Sequence, residues 1–564
     1  MFYRNLTSSL LAAILLALIA CGENANTSNN SAESQKLRAF KITHCRLTDP
    51  SPNPTEKQTL QIATKDFANI LDPHNTESGG DTKVIIQIYE TLLQIDPQNT
   101  DQLIPQLATR WQIAPDNLSI TFDIKPNVKF HDGSILDAQV CKASLQRLLG
   151  DYLPAPEAPY KNFFDFIKSI DAQKLTLTIH LNRPVPRVAL RNLTMFPASI
   201  VSKKLLEATE PLNSKARTRF ISDWASGTGA FYLTQFAPSQ GRVNLRAFSD
   251  YHGGKPQIKG ILFQQIKDSN TQIESLTAGQ TQLLDDPPRP IWQTLEANPK
   301  VTLHKWWALN LCYLGINTKH EKTKNITLRK AIRTAINRDE LAQLYYGTAR
   351  ETYSLVAQPL AEYDPNYRAD GSFPSPLHRY NAASALIEQA RAKGKKLTIY
   401  YPVDDRPYLP TPSKVADKIR QQLNAVGLDV TIQSVPNSEL FSSIRDEKYE
   451  LVLLGWMTDN ADPDNFYIPL ASGDIKTQTP STTNVGRVFD AALHQKLLQA
   501  QAITDQTKRV QTYRAIEKQY QEKYIGYVPL LNTQQGLAYT NRLKNIQVNP
   551  LGQYRFHRAT LKED

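Results

Sequence analysis

Hydrophobic positions recur along most of the chain with two periods, and these periods predict strands and helices in turn. Alternating or continuous short apolar segments predict strands at Thr59–Ala63, Leu118–Ile124, Leu175–Leu181, Trp307–Asn317, Lys396–Tyr401, Leu428–Ile432 and Tyr527–Leu531. Apolar residues spaced three or four apart predict helices at Lys83–Leu93, Ala138–Leu149, Ile273–Ala278, Leu328–Asn337, Pro412–Val426 and Lys496–Tyr524. Because strands and helices alternate in both halves, we expect an α/β or mixed α+β fold.

One further apolar run leads into a cluster of carboxylates. Leu451–Leu454 is typical of a strand buried on both faces, and we expect Gly455 to close it. Trp456 follows, and then an acidic loop with Asp459, Asp462 and Asp464. Because ligands bind at strand ends in open α/β sheets, an acid beside an aromatic residue indicates a site for a cation with an apolar body. The alternative is a solvated turn, which this stretch alone favours.

Composition and charge narrow the class of protein. The 564 residues are 41% hydrophobic and 21% charged, as in globular proteins, and are enough for several domains. The net charge of +11 is spread along the chain without a run of five basic residues. This distribution indicates a solvated basic surface and no nucleic-acid partner.

The first residues predict export and a lipid anchor. Arg4 precedes an apolar segment, Leu10–Ile19, that is shorter than the about 20 residues a membrane span requires. This segment runs into Leu18-Ile19-Ala20-Cys21, which matches the lipobox of bacterial lipoproteins. We therefore expect a signal peptide at 1–20, acylation of Cys21 and a flexible tether at 21–56. An ordinary signal peptide with an incidental cysteine is the alternative.

Cysteine, histidine and serine patterns do not indicate a catalytic or metal site. Cys45, Cys141 and Cys312 form no CxxC pair, and we predict no disulfide among them. Cys141 and Cys312 lie in apolar segments and are expected to be buried. The sequence contains no HExxH or GxSxG motif, so we predict neither an enzyme, a metal site nor a cofactor.

A series of short motifs in a fixed order resembles one family, the extracellular solute-binding proteins of peptide ABC importers, family 5. The motifs are Leu71-Asp72-Pro73, Tyr89-Glu90, Ile104-Pro105, Lys129-Phe130-His131-Asp132-Gly133, Gly227-Thr228-Gly229, Tyr251, Gly254-Lys255-Pro256, Ala278-Gly279, Ile316-Asn317, Ala335-Ile336-Asn337-Arg338 and Gly455-Trp456. The resemblance covers about 59–550 and implies a type II-like periplasmic binding protein with a hinged ligand cleft.

The resemblance also implies three lobes and a transport role. Lobe I would comprise 57–91, 223–305 and 533–564, lobe II 92–222, and lobe III 306–532. The chain would be a monomer, anchored on the periplasmic or cell-surface side of a membrane. It would carry a short peptide to the permease subunits of an importer that hydrolyses the ATP.

Dipeptide-binding members share two further motifs with this chain. These are Arg406-Pro407-Tyr408 before a helix and Gly455-Trp456-Met457-Thr458-Asp459 at a strand end. By this resemblance Arg406 holds the peptide carboxylate and Asp459 holds its α-ammonium. The alternative for Arg406 is a surface or helix-capping role, and Tyr408 and Trp456 could equally pack in the core. Ser78, Gly79 and Gly80 offer backbone groups to the ligand or form a plain turn.

Physical chemistry supports the paired roles. An arginine fork binds a carboxylate bidentately, and a helix that starts near Pro412 would direct its positive end to the same group. The termini of a dipeptide lie roughly 6–7 Å apart, so two fixed charges would measure ligand length. The resemblance leaves other roles open, namely binding of haem, glutathione or antimicrobial peptides, or peptide sensing.

Overall fold

A computed structural model describes residues 54–76, 78–152, 158–210 and 212–562. The predicted signal peptide, Cys21 with its acylation, nearly all of the tether 21–56, and Cys45 lie outside the described residues. Within the described ranges, no helix is both long and apolar enough to cross a membrane.

The strands, numbered in chain order, are mostly short. They are β1 Thr59–Thr64, β2 Leu93–Ile95, β3 Leu103–Pro105, β4 Ala108–Ile113, β5 Ser119–Ile124, β6 Ile167–Gln173, β7 Thr176–Leu181, β8 Phe231–Ala237, β9 Arg242–Ala247, β10 Gly260–Gln265, β11 Leu283–Asp285, β12 Val301–Trp307, β13 Asn310–Ile316, β14 Ala349–Glu351, β15 Lys396–Pro402, β16 Asp429–Val435, β17 Leu451–Met457, β18 Gly473–Asp474, β19 Thr479–Pro480, β20 Tyr527–Thr540, β21 Leu543–Lys544, β22 Gln547–Val548, β23 Tyr554–Arg555 and β24 Thr560–Leu561.

The α-helices alternate with these strands. They are α1 Gly79–Ile88, α2 Ala138–Leu149, α3 Pro186–Asn192, α4 Lys203–Ala208, α5 Ser214–Asp223, α6 Ser269–Thr277, α7 Trp292–Ala297, α8 Ile326–Ala335, α9 Arg338–Ala342, α10 Pro376–Gln389, α11 Pro412–Ala425, α12 Asn437–Arg445, α13 Asp464–Ala471, α14 Ala491–Gln501 and α15 Gln506–Lys523.

A mixed twelve-stranded sheet organises the larger part of the molecule. Its main path runs β16-β15-β17-β13-β20-β11-β1-β10-β9-β8, and β12 and β14 also pair with β20. Parallel pairs, such as β1 with β10, and antiparallel pairs, such as β13 with β17, both occur. Strand β13 is buried along its whole length, as its continuous apolar sequence requires.

Strand β20 joins the two halves of this sheet. Its first residues, Tyr527–Leu531, pair with β13, and its later residues pair with β12 and β11. Between these two regions the Asn532 side-chain amide donates to the carbonyl oxygens of Ala308, at 2.8 Å, and Asn310, at 2.9 Å. The turn between β12 and β13 is therefore fastened to the middle of β20.

A separate four-stranded antiparallel sheet lies within the range predicted for lobe II. Its order is β4-β5-β7-β6, and the inward residues of β5 and β7 alternate as the sequence pattern requires. Helix α2 packs on this sheet and buries Cys141 completely. Cys312 is buried in β13, so the predicted burial of both thiols is confirmed.

Several of the family-like motifs meet in one buried hydrogen-bonded cluster. The Glu90 carboxylate accepts from the Tyr251 hydroxyl at 2.9 Å, from Thr228 Oγ1 at 2.8 Å and from His252 Nε2 at 2.7 Å. A Cβ at Gly229 would lie 2.7 Å from the Ile88 carbonyl oxygen, so the chain can approach this closely only without a side chain. These motifs therefore form a buried network that fastens the end of α1 to the segments before β8 and after β9.

Most predicted elements are confirmed, and three need correction. The predicted strand Trp307–Asn317 runs instead over Asn310–Ile316, because Trp307 is the last residue of the separate strand β12. The predicted helix Lys496–Tyr524 is two helices, since Asp505 caps a new helix by accepting from the Lys508 amide at 2.7 Å. The predicted helix Lys83–Leu93 runs instead over Gly79–Ile88.

Candidate functional site

The loop between β15 and α11 positions Arg406. Two backbone hydrogen bonds between Arg406 and Leu409, 3.0 and 2.8 Å long, close it into a tight turn. Helix α11 then begins at Pro412, the first-turn position where proline is tolerated best. The loop therefore presents the arginine from a fixed backbone at the end of a sheet strand.

The Arg406 side chain is half-buried, and its guanidinium has no carboxylate partner within the part of the chain that the structure describes. Its Nε lies 3.5 Å from the Tyr408 hydroxyl, and among the described residues no acid forms an ion pair with it. Interaction with Tyr408 raises the pKa of Arg406, although burial opposes the shift, and the more distant charges of Asp66 and Asp404 also raise it. The Arg406 guanidinium therefore keeps its positive charge, and no carboxylate among the described residues neutralises it.

Tyr408 connects the arginine loop to strand β17. Its ring is buried and lies directly on Gly455, where a Cβ would overlap the ring and the Leu311 carbonyl oxygen. Gly455 therefore lies inside β17 and does not close the strand as expected. The contact brings the Arg406-Pro407-Tyr408 and Gly455-Trp456 motifs side by side.

Asn465, at the start of α13, organises the end of β17. Its side-chain oxygen accepts from the Trp456 indole nitrogen and from the Asp459 backbone amide, both at 3.3 Å. Trp456 remains half-buried, while Asn465 is 1% exposed. One buried amide thus fixes both the aromatic residue and the acid that the sequence singled out.

Asp459 has no cationic partner among the described residues. Burial raises the pKa of its carboxyl to about 7, although a hydrogen bond with the Tyr160 side chain opposes the shift. Tyr160 lies within the predicted lobe II and is held between the rings of Phe163 and Phe196, with centroids at 5.6 and 5.2 Å. Tyr160 was not among the residues predicted from the sequence, because nothing near it in the chain points to Asp459.

The other two acids of the loop have partners of their own. Asp462 is fully buried, and its carboxylate accepts from Arg509 at 2.7 Å and from the Asp464 backbone amide at 3.0 Å. Burial alone would raise the pKa of Asp462, but the charge of Arg509 lowers it below its usual range. Asp464 accepts from Gln501 at 2.8 Å. Asp462 is therefore neutralised, whereas Asp459 and Asp464 form no ion pair among the described residues, and Asp459 is the more exposed of these two.

Ser78, Gly79 and Gly80 form the start of α1. Ser78 is the residue before the helix, and its side chain makes no capping bond. A Cβ at Gly80 would lie 2.9 Å from the Phe67 backbone, whereas Gly79 is exposed, with Asp66 as its nearest neighbour. Because the charge of Asp66 also acts on Arg406, the helix start and the arginine loop lie near a common group.

Metal chemistry finds no support in this part of the molecule. Across the described ranges, no group of three or more His, Cys, Asp or Glu side chains is arranged to hold a metal ion. This part of the molecule offers a ligand Arg406 and Asp459, neither with an ion-pair partner among the described residues, and the rings of Tyr408 and Trp456. This set of groups suits a zwitterion of small size.

Comparison with known proteins gives consistent matches. The family model for bacterial extracellular solute-binding proteins, family 5 Middle, matches residues 102–478. Di/tripeptide-binding protein 4 of Pseudomonas aeruginosa is 27% identical over 490 residues, covering 84% of this chain and 89% of that protein.

Two solved structures share the architecture. The dipeptide binding protein from Pseudoalteromonas sp. SM9913, in complex with Met-Leu, superposes with a TM-score of 0.80 at 22% identity, covering 89% of this chain and 100% of that one. The ABC transporter-associated periplasmic binding protein DppA from Helicobacter pylori, in complex with peptide STSA, gives a TM-score of 0.77 at 25% identity, covering 90% and 98%. These likenesses confirm the expected mixed α/β, type II-like fold with several domains.

Proposed function

The chain belongs to family 5 of the bacterial extracellular solute-binding proteins, a family of binding proteins and not of enzymes, and from this premise we propose that it captures dipeptides or short peptides by their charged termini. In this proposal Arg406 binds the peptide carboxylate and Asp459 binds the α-ammonium, between lobes I and III. The loaded protein then delivers the peptide to the permease subunits of an ABC importer.

One observation carries the proposal: Arg406 and Asp459 are both partly buried and both without an ion-pair partner among the described residues. Elsewhere, buried charges such as Arg147 and Asp72 pair at 2.5 Å. An unpaired buried charge costs several kcal/mol, so a ligand that supplies both missing charges binds with a large electrostatic gain. A dipeptide zwitterion has both charges.

Ligand length follows from the same two groups. The termini of a dipeptide lie roughly 6–7 Å apart, and each added residue extends that distance by about 3.3–3.6 Å. A longer peptide then leaves one charge unpaired unless the cleft opens. The Helicobacter pylori relative was solved with the four-residue peptide STSA, so short peptides beyond dipeptides are the second candidate ligands.

The rest of the transport role concerns parts of the chain outside the described residues. Acylation of Cys21 would hold the protein at a membrane surface, and the tether would let a monomer reach the permease. Incorporation of labelled palmitate into the protein, lost in Cys21→Ser, tests this anchor. Lack of label in the unchanged protein would refute it.

Thermal shift and calorimetry test the ligand class. We expect a dipeptide to raise the Tm by mass action, with a gain of about 2.7 kcal/mol at 100 times its Kd. The same dipeptide with an acetylated amine or an amidated carboxylate should lose most of this effect. Glutathione, haem, longer peptides and antimicrobial peptides complete the panel, because each is an alternative ligand for this fold.

Two variants assign the termini. Arg406→Ala should weaken binding of the dipeptide but leave the affinity for its C-terminal amide nearly unchanged. Asp459→Asn should weaken binding of the dipeptide but leave the affinity for its N-acetyl form nearly unchanged. Arg445→Ala and Asp429→Asn are matched controls, since both residues are exposed on the same predicted lobe and form no ion pair within the described ranges. Full dipeptide affinity in both test variants would refute the charge-pairing proposal.

A further inference from the structure

We propose that Asn192 is a positioning residue for recognition of the ligand's amino terminus, because its one side chain sets the separation between the Tyr160 segment and the Asp459 loop. The inference rests on the proposed function and deepens it. It assigns part of the specificity for a free amine to a residue of the predicted lobe II that is distant in sequence from Asp459.

The Asn192 side chain makes one hydrogen bond to the Asp459 loop and one to the segment that holds Tyr160. Its side-chain oxygen accepts from the Asn460 side-chain amide at 2.5 Å, and its own amide donates to the Phe163 carbonyl oxygen at 2.6 Å. Asn192 is 2% exposed and Asn460 is 1% exposed, so water does not compete for these bonds. The asparagine therefore works as a buried bridge of fixed length.

On one side the bridge reaches Tyr160 through a short stretch of backbone. Lys161–Phe164 is a 3-10 turn, and the Phe163 amide donates to the Tyr160 carbonyl oxygen at 2.9 Å. The Phe163 ring also packs against the Tyr160 ring. A shift of the Phe163 carbonyl group therefore moves the Tyr160 side chain.

On the other side the bridge reaches Asp459 through a rigid loop. Asn460 follows Asp459 directly, and its side-chain oxygen accepts from the Thr458 hydroxyl and from the Asp462 amide, both at 3.0 Å. The Asn460 carbonyl oxygen also accepts from Arg191 at 3.3 Å. Because the loop is bonded internally, displacement of Asn460 carries Asp459 with it.

Removal of the bridge should affect one end of the ligand only. In Asn192→Ala, both bonds are lost and only the hydrogen bond between Tyr160 and Asp459 still connects the two segments. We expect about a 5- to 10-fold loss of affinity for a free-amine dipeptide, the effect of losing about one hydrogen bond. The preference for a free carboxylate over an amide should persist, because Arg406 lies on another loop.

The test compares three ligands on the full chain by calorimetry: a dipeptide, its N-acetyl form and its C-terminal amide. Asn182→Ala is the matched control, since Asn182 also donates to a backbone carbonyl of this region, that of Asp165 at 2.6 Å, but does not contact the loop. Asn192→Asp is the second variant, because it keeps the acceptor for Asn460 and loses the donor to Phe163.

In both Asn192 variants we expect a smaller ratio between the affinities for the dipeptide and for its N-acetyl form (the amine-to-acetyl ratio). The ratio between the affinities for the dipeptide and for its amide (the acid-to-amide ratio) should not change, and Asn182→Ala should change neither ratio. An unchanged amine-to-acetyl ratio in a folded Asn192 variant overturns this inference and leaves the proposed function standing. Equal loss of both ratios, or failure of both variants to fold, also overturns it, because Asn192 would then be a general stability element. Absence of dipeptide binding by the unchanged chain overturns both proposals.

Discussion

At the scale of single residues, Asp459 has a pKa that makes its charge depend on pH in the physiological range. Burial raises this pKa to about 7, so the carboxyl is ionised above that pH and protonated below it. Only the ionised form can pair with an ammonium. The α-amino group of a peptide loses its proton at about pH 7.7–8.0, so both partners carry their charges only in a narrow range.

We therefore expect dipeptide affinity to peak between about pH 7 and pH 8. Below pH 7 the Kd should rise by about tenfold per pH unit, because a growing fraction of Asp459 is protonated. Calorimetry between pH 5 and pH 9 measures this profile. In the Asp459→Asn variant the acid limb should disappear; its persistence would assign the titration to another group, such as Asp464.

Arg509 should be a stability residue with no direct part in binding. It is fully buried and donates to Asp462 at 2.7 Å and to Glu362 at 2.8 Å. Arg509→Ala leaves Glu362 without its cation and leaves Asp462 with only the longer contact to Arg187, at 3.6 Å, and we expect the free energy of unfolding to fall by about 3–5 kcal/mol. Urea unfolding measures the loss. Lys508→Ala, at an exposed position of the same helix, should change little, and an equal effect would contradict the prediction.

At the scale of elements, the contact between the Tyr408 ring and β17 links ligand binding to sheet packing. A Cβ at position 455 would overlap the ring and the Leu311 carbonyl oxygen, and the strand cannot move because it pairs with β13 and β15. Gly455→Ala should therefore displace the arginine loop. We expect a stability loss of about 1–3 kcal/mol and at least tenfold weaker dipeptide binding.

Thermal unfolding and calorimetry check both parts of this prediction. Ser434→Ala is the control, since Ser434 is exposed on β16, a strand at the edge of the same sheet. A Gly455→Ala protein with unchanged affinity would show that the loop holds Arg406 without help from this contact.

The sequence predicts elements better than it predicts their contacts. Helix α11 begins at Pro412 and β15 begins at Lys396, as the local pattern indicates, because capping and periodicity are local properties. The pattern added Trp307 to β13 because the apolar residues Ala308 and Leu309 lie between them, and it did not predict β12, where polar His304 and Lys305 interrupt the apolar residues. Gly455 was predicted to end a strand because the residue that requires a glycine there, Tyr408, lies elsewhere in the chain.

The same limit applies to the candidate site. Arg406 and Asp459 could be selected because they stand in short motifs, and the structure leaves both without an ion-pair partner among the described residues. Tyr160 and Asn192 could not, because their relation to the acidic loop arises only from contacts between segments that are distant in the chain. The motif distinguished Asp459 from Asp462, but the pairing of Asp462 with Arg509 could not be predicted because Arg509 lies 47 residues away in the chain.

At the scale of the whole molecule, the turn between β12 and β13 and the middle of β20 connect the two halves of the large sheet. If the halves move relative to each other, these two segments must bend. Asn532 fastens these segments by donating to the carbonyl oxygens of Ala308 and Asn310. Asn532→Ala leaves these buried acceptors without that donor. We expect a loss of about 1–3 kcal/mol in urea unfolding, together with altered dipeptide affinity.

Asn541→Ala controls for the loss of an asparagine near the same strand. Asn541 follows β20, is exposed, and donates to Pro299 at 2.6 Å. It should have little effect on either measurement. If Asn541→Ala and Asn532→Ala behave alike, the fastening at Asn532 has no special part in joining the halves.

The position of β20 also has a consequence for biosynthesis. Each half of the large sheet contains strands made early in translation, yet both depend on pairing with a segment that ends at Thr540. A nascent chain cannot complete either half until that segment has left the ribosome, because the pairings it needs are separated by hundreds of residues. Such a delay keeps both halves of the large sheet incomplete during synthesis, whereas the sheet β4-β5-β7-β6 needs no part of this segment.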